Sequence, residues 1–181
     1  GRWLCASCSR RRPGPIPTPP AFPASCALRR VTISRSICSA AATWTWAALI
    51  DAHPQTRFVI DHLGFYQPRT KPAPADVWAD LPKVLELARR PNAAIKVSGV
   101  CTMSREPFPY PDIWDPLARV FDAWGFERCL WGTDWTRTFS LVNYRQAVEP
   151  FRLTERLSDS ERSMLMGGAC AKVYGWSPKK E

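Results

Sequence analysis

The sequence predicts an α/β fold in which short parallel strands alternate with helices. Three apolar runs, at residues 57–61, 94–98 and 128–132, have the length and composition of buried strands. They begin 37 and 34 residues apart (94 − 57 and 128 − 94), which suits one strand, one helix and two loops. A complete (β/α)8 barrel needs about 250 residues. Because the chain has 181, the expected architecture is a partial TIM (β/α)8 barrel.

Helices are predicted wherever apolar residues recur every three or four positions between these strands. Residues 47–52 form the end of one helix, and residues 77–90 and 112–124 form two more. Asp76 is expected to cap the second of these helices, and Gly125 is expected to end the third.

The C-terminal part of the sequence predicts three further helices. Residues 143–151 carry the first, and residues 168–173 carry the last. Between them, Ser158 and Glu161 have the spacing of a capping box, in which each side chain satisfies the backbone N–H of the other residue. We expect these helices to pack on the outside of the strands.

Residues 1–45 differ from the rest and are predicted to be an irregular basic segment rich in Pro, Arg and Ser. Residues 1–50 carry seven arginines and no Asp, Glu or Lys, and six prolines stand between Pro13 and Pro23. Such a proline density excludes a regular helix or a central strand. A disordered arm, a transit peptide and sequence translated out of frame all fit. The abrupt change of pattern near Trp46 favours the last of these.

The charge of the chain lies mostly in that segment. The net charge is +9, but the residues after Ile50 carry 18 basic (25 − 7) and 16 acidic side chains, a net charge of +2. This balance does not favour a nucleic-acid partner for the patterned part. No apolar run approaches the roughly 18 residues of a membrane span, so we predict no membrane association.

The seven cysteines are irregularly spaced and odd in number, which argues against a disulfide framework. Cys101, Cys129 and Cys170 are expected to be reduced core residues of a cytoplasmic protein. Cys5 and Cys8 have C-x-x-C spacing, but no second such pair follows, so a structural zinc module is not favoured.

Polar residues follow two of the predicted strands. Asp61 and His62 close one apolar run, and Thr133 and Asp134 close another. In a barrel of parallel strands, catalytic groups collect at these carboxyl ends. A His and an Asp can serve a hydrolytic metal site, and the Asp can also take a proton from water. A structural hydrogen bond for His62 and a turn or cap role for Asp134 are the alternatives.

Four segments in order, FVIDHLG, IKVSG, WGTDW and LSDSERSMLMGGACAKVYGW, resemble the amidohydrolase-related (amidohydrolase 2) family of TIM-barrel metal-dependent hydrolases. The likeness is to its lactonase-like branch and covers residues 46–181, as the C-terminal portion of the barrel: roughly the last three strand–helix units plus C-terminal helices. It implies a hydrolase that opens a lactone or similar small carboxylate-bearing substrate with metal- or Asp-activated water.

The resemblance also implies roles for individual residues. His62 and Asp134 would be the catalytic residues and the ligands of a divalent metal, with zinc as the first candidate. Lys96, Ser98 and Trp135 would bind a small-molecule substrate, with Lys96 as an electrostatic contact to an anionic group. For Lys96, a solvated side chain is the alternative, and for Trp135 a core position.

Two features depart from the family pattern. Thr136 stands where the family usually has Pro, and the only histidines are His53 and His62, so the metal-binding HxH pair is absent. We therefore expect this chain to be an incomplete, inactive fragment that binds metal poorly and self-associates through open strand edges. The alternative is a non-catalytic remnant fold whose basic N-terminal arm binds nucleic acid or an acidic partner.

Overall fold

A computed structural model describes residues 30–33 and 40–176, with side chains from residue 46 onward. Its centre is a four-stranded parallel sheet in which the strands lie side by side in chain order. The strands are β1 Arg30–Ile33, β2 Arg57–Ile60, β3 Ala93–Ser98 and β4 Cys129–Gly132. The register places Ile60 opposite Ile95, and Ile95 opposite Cys129. All four strands therefore direct their carboxyl ends to one edge of the sheet.

Helices connect successive strands, as parallel pairing requires. Within the described residues the α-helices are α1 Ala40–Ala52, α2 Leu81–Leu87, α3 Trp114–Trp124, α4 Trp135–Thr138, α5 Tyr144–Arg152, α6 Asp159–Ser163 and α7 Ala169–Tyr174. A π-helical turn, Met164–Gly168, joins α6 to α7. The predicted parallel α/β class is confirmed.

The two faces of the sheet pack against different elements. Ile95 and Val97 belong to the main apolar core together with buried residues of α1, α2 and α3. Their neighbour Ala94 points to the opposite face, where it packs with Leu130 and Ala169 in a small second cluster. α7 therefore covers part of the face that α1, α2 and α3 leave open.

Helix α2 is shorter than the predicted helix at residues 77–90, and the prediction that Asp76 caps it is wrong. The helix begins at Leu81 after Asp80, while the Asp76 carbonyl accepts a hydrogen bond from Ala79 N (2.8 Å) in a preceding turn. Pro82 explains this start, because a proline is tolerated in the first helical turn, where its missing N–H has no intrahelical partner.

The other local signals hold. Ser158 and Glu161 form the predicted capping box at the start of α6. Gly125 ends α3 with a φ of 69°. Asn143 and Gln146 form a second capping box at α5, which was not among the predicted caps.

Two elements fall inside the segment predicted to be irregular. β1 pairs with β2 over four residues, and α1 begins at Ala40. The proline tract and the first four cysteines lie outside the described residues. Within the described part, no helix has the length and apolarity to cross a membrane.

The described cysteines divide into two kinds. Cys101 and Cys129 are buried free thiols, as predicted, whereas Cys170 is exposed, so its predicted core position is wrong. Cys170 lies on α7, which turns Ala169 toward the sheet and leaves the next residue facing outward. Burial raises the pKa of both Cys101 and Cys129 to about 12.

Candidate active site

The loops after β2, β3 and β4 bring three of the predicted residues together. His62 follows β2, Ser98 ends β3, and Asp134 follows β4. His62 Nδ1 is hydrogen-bonded to Ser98 Oγ at 2.8 Å and lies 3.5 Å from Asp134 Oδ2. Residues 36 positions apart or more along the chain therefore share one site because their strands are parallel neighbours.

The backbone at the two acid–base candidates is unusual. His62 (φ 53°, ψ 45°) and Asp134 (φ 51°, ψ 46°) both adopt the left-handed conformation. This conformation costs a residue with a side chain on the order of 1–2 kcal/mol. Strain of this kind concentrates at functional sites, where the surrounding structure holds it in place.

Arg137 also belongs to the site, although no sequence motif predicted it. Its Nε donates to Asp134 Oδ2 at 2.5 Å, and the Arg137 and Asp134 side chains are only 14% and 10% exposed. The guanidinium also donates to the carbonyl of Pro68 at 3.0 Å. The i,i+3 spacing of Asp134 and Arg137 was the available signal, because residues three apart on a helix are neighbours.

Gln67 and Gly99 complete the surroundings of Arg137. The buried Gln67 side chain donates to the Ser98 carbonyl at 2.7 Å, and its oxygen accepts from Arg137. Gly99 has a φ of 69°, and a Cβ at this position would collide with the Arg137 guanidinium. The glycine is therefore required both by its backbone conformation and by the space that Arg137 fills.

Lys96, a predicted substrate contact, lies in an ion pair with Asp61 (Nζ to Oδ1, 2.6 Å). Burial lowers the pKa of Lys96, but the hydrogen bond and charge of Asp61, with a smaller contribution from Tyr174, raise it above the usual value. Lys96 is therefore charged at neutral pH, and the protein itself supplies a counter-charge. Its contact with a substrate stays a prediction.

Trp135, the other predicted substrate contact, directly follows Asp134 and begins α4. Its side chain is 39% exposed and meets the exposed ring of Tyr144 edge-on, with ring centroids 5.4 Å apart. The structure therefore excludes the core position for Trp135 and leaves an aromatic surface beside Asp134.

The described residues do not provide a complete metal site. No group of three or more His, Cys, Asp or Glu in this part of the chain could hold a metal ion, whereas a catalytic zinc site takes three protein ligands. Of the two candidate ligands, Asp134 uses Oδ2 to pair with Arg137, and His62 uses Nδ1 to pair with Ser98. Zinc stays a prediction that requires further ligands.

An imidazole after β2 and a carboxylate after β4 thus meet at the carboxyl edge of the parallel sheet, where the catalytic groups of barrel enzymes collect. The family model described as amidohydrolase matches residues 32–176. The chain belongs to this amidohydrolase family, and its curated relatives confirm the lactonase-like likeness.

Two L-fucono-1,5-lactonases are among these relatives. The enzyme of Burkholderia multivorans is 31% identical over 138 residues, which cover 68% of this chain and 44% of the relative. The enzyme of Burkholderia ambifaria is 36% identical over 86 residues, 46% of this chain and 27% of the relative. A D-galactarolactone isomerase of Agrobacterium fabrum is 34% identical over 82 residues, 45% of this chain and 26% of the relative.

Solved structures agree on the fold. An amidohydrolase from Burkholderia multivorans, crystallised with bound zinc, superimposes with a TM-score of 0.67 at 24% identity, over 82% of this chain and 53% of that chain. A 2-pyrone-4,6-dicarboxylic acid hydrolase from Pseudomonas putida, so named provisionally, gives a TM-score of 0.57 at 24% identity, over 83% and 53%. The chain thus spans about half the length of these structures and less than half the length of the curated relatives.

Proposed function

We propose that this chain carries part of the active site of a hydrolase that opens a lactone ring in a small carboxylate-bearing molecule. The names of the lactonase relatives support a lactone as the substrate, and the family supports the reaction class. The carboxylate on the substrate is proposed from the positive charge of Lys96. We also propose that the four parallel strands are part of a (β/α)8 barrel, because their order and crossovers are those of consecutive barrel units.

The observation that carries the proposal is the approach of His62 to Asp134 at the carboxyl ends of β2 and β4. Their side chains are 34% and 10% exposed, and the distance from Nδ1 to Oδ2 is 3.5 Å. His62 is thus accessible to a small molecule, while Asp134 is largely withdrawn from bulk water. This combination suits a proton acceptor beside a group that orients the substrate.

The proposed chemistry is a general-base hydrolysis. Asp134 takes a proton from a water molecule as the water oxygen attacks the lactone carbonyl carbon. The ring C–O bond then breaks, and Asp134 returns the proton to the departing oxygen, which leaves an open-chain hydroxy acid. Ser98 holds His62 through Nδ1, so that Nε2 of His62 is the nitrogen available to the substrate carbonyl.

Two further contacts are proposed at the edge of this site. Trp135 offers a half-exposed ring surface beside Asp134, against which an apolar face of a sugar ring can pack. Lys96 remains charged beside Asp61 and supplies positive potential for the carboxylate of the substrate. Because the described donors do not complete a metal site, no step of this chemistry is assigned to a metal.

The test is lactone hydrolysis by the full chain, measured with a pH indicator and corrected for spontaneous opening. L-fucono-1,5-lactone and a pyrone dicarboxylate are suitable first substrates. The meeting of His62 and Asp134 in this chain favours activity over the inactive fragment that the absent HxH pair predicts, so we expect hydrolysis above the blank. We expect that rate to fall by about 10²-fold or more in Asp134→Asn, since general-base catalysis contributes on the order of 10²–10⁴-fold. Asp159→Asn, at an exposed position on α6, is the matched control and should retain activity.

Equal rates for the wild type, Asp134→Asn and the blank would refute the proposed activity of this chain. Hydrolysis that continues at the wild-type rate in Asp134→Asn would instead support the hydrolase function and show that Asp134 is not the general base.

A further inference from the structure

We propose that Arg137 is a positioning residue that fixes the carboxylate of Asp134 and ties the loops after β2, β3 and β4 into one unit. The functional part of this inference rests on the proposed role of Asp134 as the base. The set of contacts that Arg137 makes with Asp134 and the three loops, called the Arg137 clamp, is a property of the folded chain. It can be tested without measuring catalysis.

The hydrogen bonds of Arg137 reach all three loops. From the loop after β4, Asp134 accepts from Nε at 2.5 Å. From the loop after β2, the Pro68 carbonyl accepts from Nη1 at 3.0 Å, and Gln67 accepts from Nη2. From the loop after β3, Thr102 Oγ1 lies 3.2 Å from both terminal nitrogens, and the Gly99 carbonyl lies 3.4 Å from Nη2.

The chemistry of the guanidinium explains why these contacts hold the carboxylate in one orientation. Its donors lie in a rigid plane, so Arg137 cannot follow a rotation of Asp134 without breaking its own contacts to the other two loops. Lysine has a single ammonium group on a flexible stem and cannot span the same partners. Within the described residues, Asp134 Oδ2 is committed to Arg137 and faces His62, which leaves Oδ1 as the oxygen available to water.

The site is shaped around this side chain. Gly99 lacks the Cβ that would collide with the guanidinium, and the buried Gln67 links Arg137 to the Ser98 carbonyl. Ser98 in turn holds His62 through Nδ1. Arg137 therefore acts on both candidate catalytic groups, on Asp134 directly and on His62 through the intervening Gln67 and Ser98.

The first test is NMR of arginine side-chain N–H groups in the full chain. We expect the Nε–H of Arg137, whose side chain is 14% exposed, to exchange with water more slowly than that of Arg145, whose side chain is 80% exposed in a surface pair that adds little protection. The Arg137 resonance should shift in Asp134→Asn, and the Arg145 resonance should not. If the Nε–H of Arg137 exchanges with water as fast as that of Arg145, the proposal that Arg137 holds the three loops together is refuted.

The second test separates positioning from plain structural support. The chain has only two histidines, so the imidazole resonances report on His62 with His53 as an internal reference. In Arg137→Lys we expect the His62 resonances to move at constant pH while those of His53 stay, and Arg145→Lys should move neither. An unmoved His62 would show that Arg137 does not position the site.

Kinetics then connects the clamp to the proposed activity. Arg137→Lys should lower kcat by about 10²-fold with little change in KM, because a displacement of about 1 Å costs that much. Unchanged kcat would refute positioning. A wild-type chain without lactone hydrolysis but with a slowly exchanging Arg137 Nε–H would refute the proposed function and leave the clamp intact.

Discussion

Replacing Gly99 with alanine tests whether the site is built around Arg137. Gly99 has a φ of 69°, and a Cβ there would meet the Arg137 guanidinium, the Gln67 side chain and, at 3.2 Å, Asp134 Cβ. Two costs therefore combine in Gly99→Ala. One is the conformational cost of a left-handed alanine, and the other is displacement of Arg137 from its buried partner.

The structure allows the two costs to be estimated separately. The left-handed conformation costs about 1–2 kcal/mol for alanine. Breaking a fully buried ion pair costs about 3–5 kcal/mol. The pair of Arg137 with Asp134 is part-buried and the guanidinium can shift, so its displacement costs less than that. We therefore expect Gly99→Ala to lower the free energy of unfolding by about 3–5 kcal/mol.

Urea unfolding of a double-mutant cycle measures the steric part. In an Arg137→Ala background the obstacle is gone, so Gly99→Ala should cost only the conformational term of about 1–2 kcal/mol. Gly167→Ala is the matched control, because a Cβ at this exposed position meets nothing within 4 Å. Helix propensity predicts that this control gains about 0.5–1 kcal/mol. An equal cost of Gly99→Ala in both backgrounds would refute a site shaped around Arg137.

Two further predictions follow from the pKa values. Because burial raises the pKa of Cys101 and Cys129 to about 12, both thiols should resist alkylation at pH 8, while the exposed Cys170 is labelled. Peptide mass spectrometry measures the labelling of each cysteine, and rapid labelling of Cys101 and Cys129 would contradict their burial. The pair between Lys96 and Asp61 raises the pKa of Lys96 above 10.5, so it stabilises the fold below pH 10.5 and that stabilisation is lost as the pH rises through the higher folded-state value. As the pH is raised from 7, the stability difference between wild type and Lys96→Met should stay constant until that alkaline range and shrink there, and shrinkage already near pH 7–8 would contradict the pairing.

The parts of the fold that the sequence predicted are those with local causes. The largely apolar run at residues 94–98 predicted the buried strand that the structure has at Ala93–Ser98, and the spacing of Ser158 and Glu161 predicted the start of α6. β1 was missed because Arg30–Ile33 is a four-residue strand in an acid-free segment without helical or strand periodicity. Its assignment depends on pairing with β2, which is a tertiary contact.

The same distinction between local and tertiary causes holds for the residues of the candidate site. His62 and Asp134 could be found because each directly follows an apolar run, and the motif order supported them. The contacts of Arg137 beyond Asp134 could not be found, because Gln67, Thr102 and Arg137 follow three different strands whose proximity depends on strand order. Lys96 shows the converse: the sequence identifies its charge but not the presence of Asp61 at 2.6 Å.

The clamp also constrains how a metal ion could enter this site. Asp134 Oδ2 accepts a hydrogen bond from Arg137 Nε at 2.5 Å. A metal cation bound to that oxygen would therefore lie against a guanidinium of like charge. Further ligands from outside the described residues would therefore have to bring the metal to Asp134 Oδ1, or Arg137 would have to leave. Either arrangement predicts that zinc binding, followed through the His62 resonances, depends on residue 137. Arg137→Gln should bind zinc at least as tightly as the wild type, and weaker binding by that variant would contradict the assigned geometry.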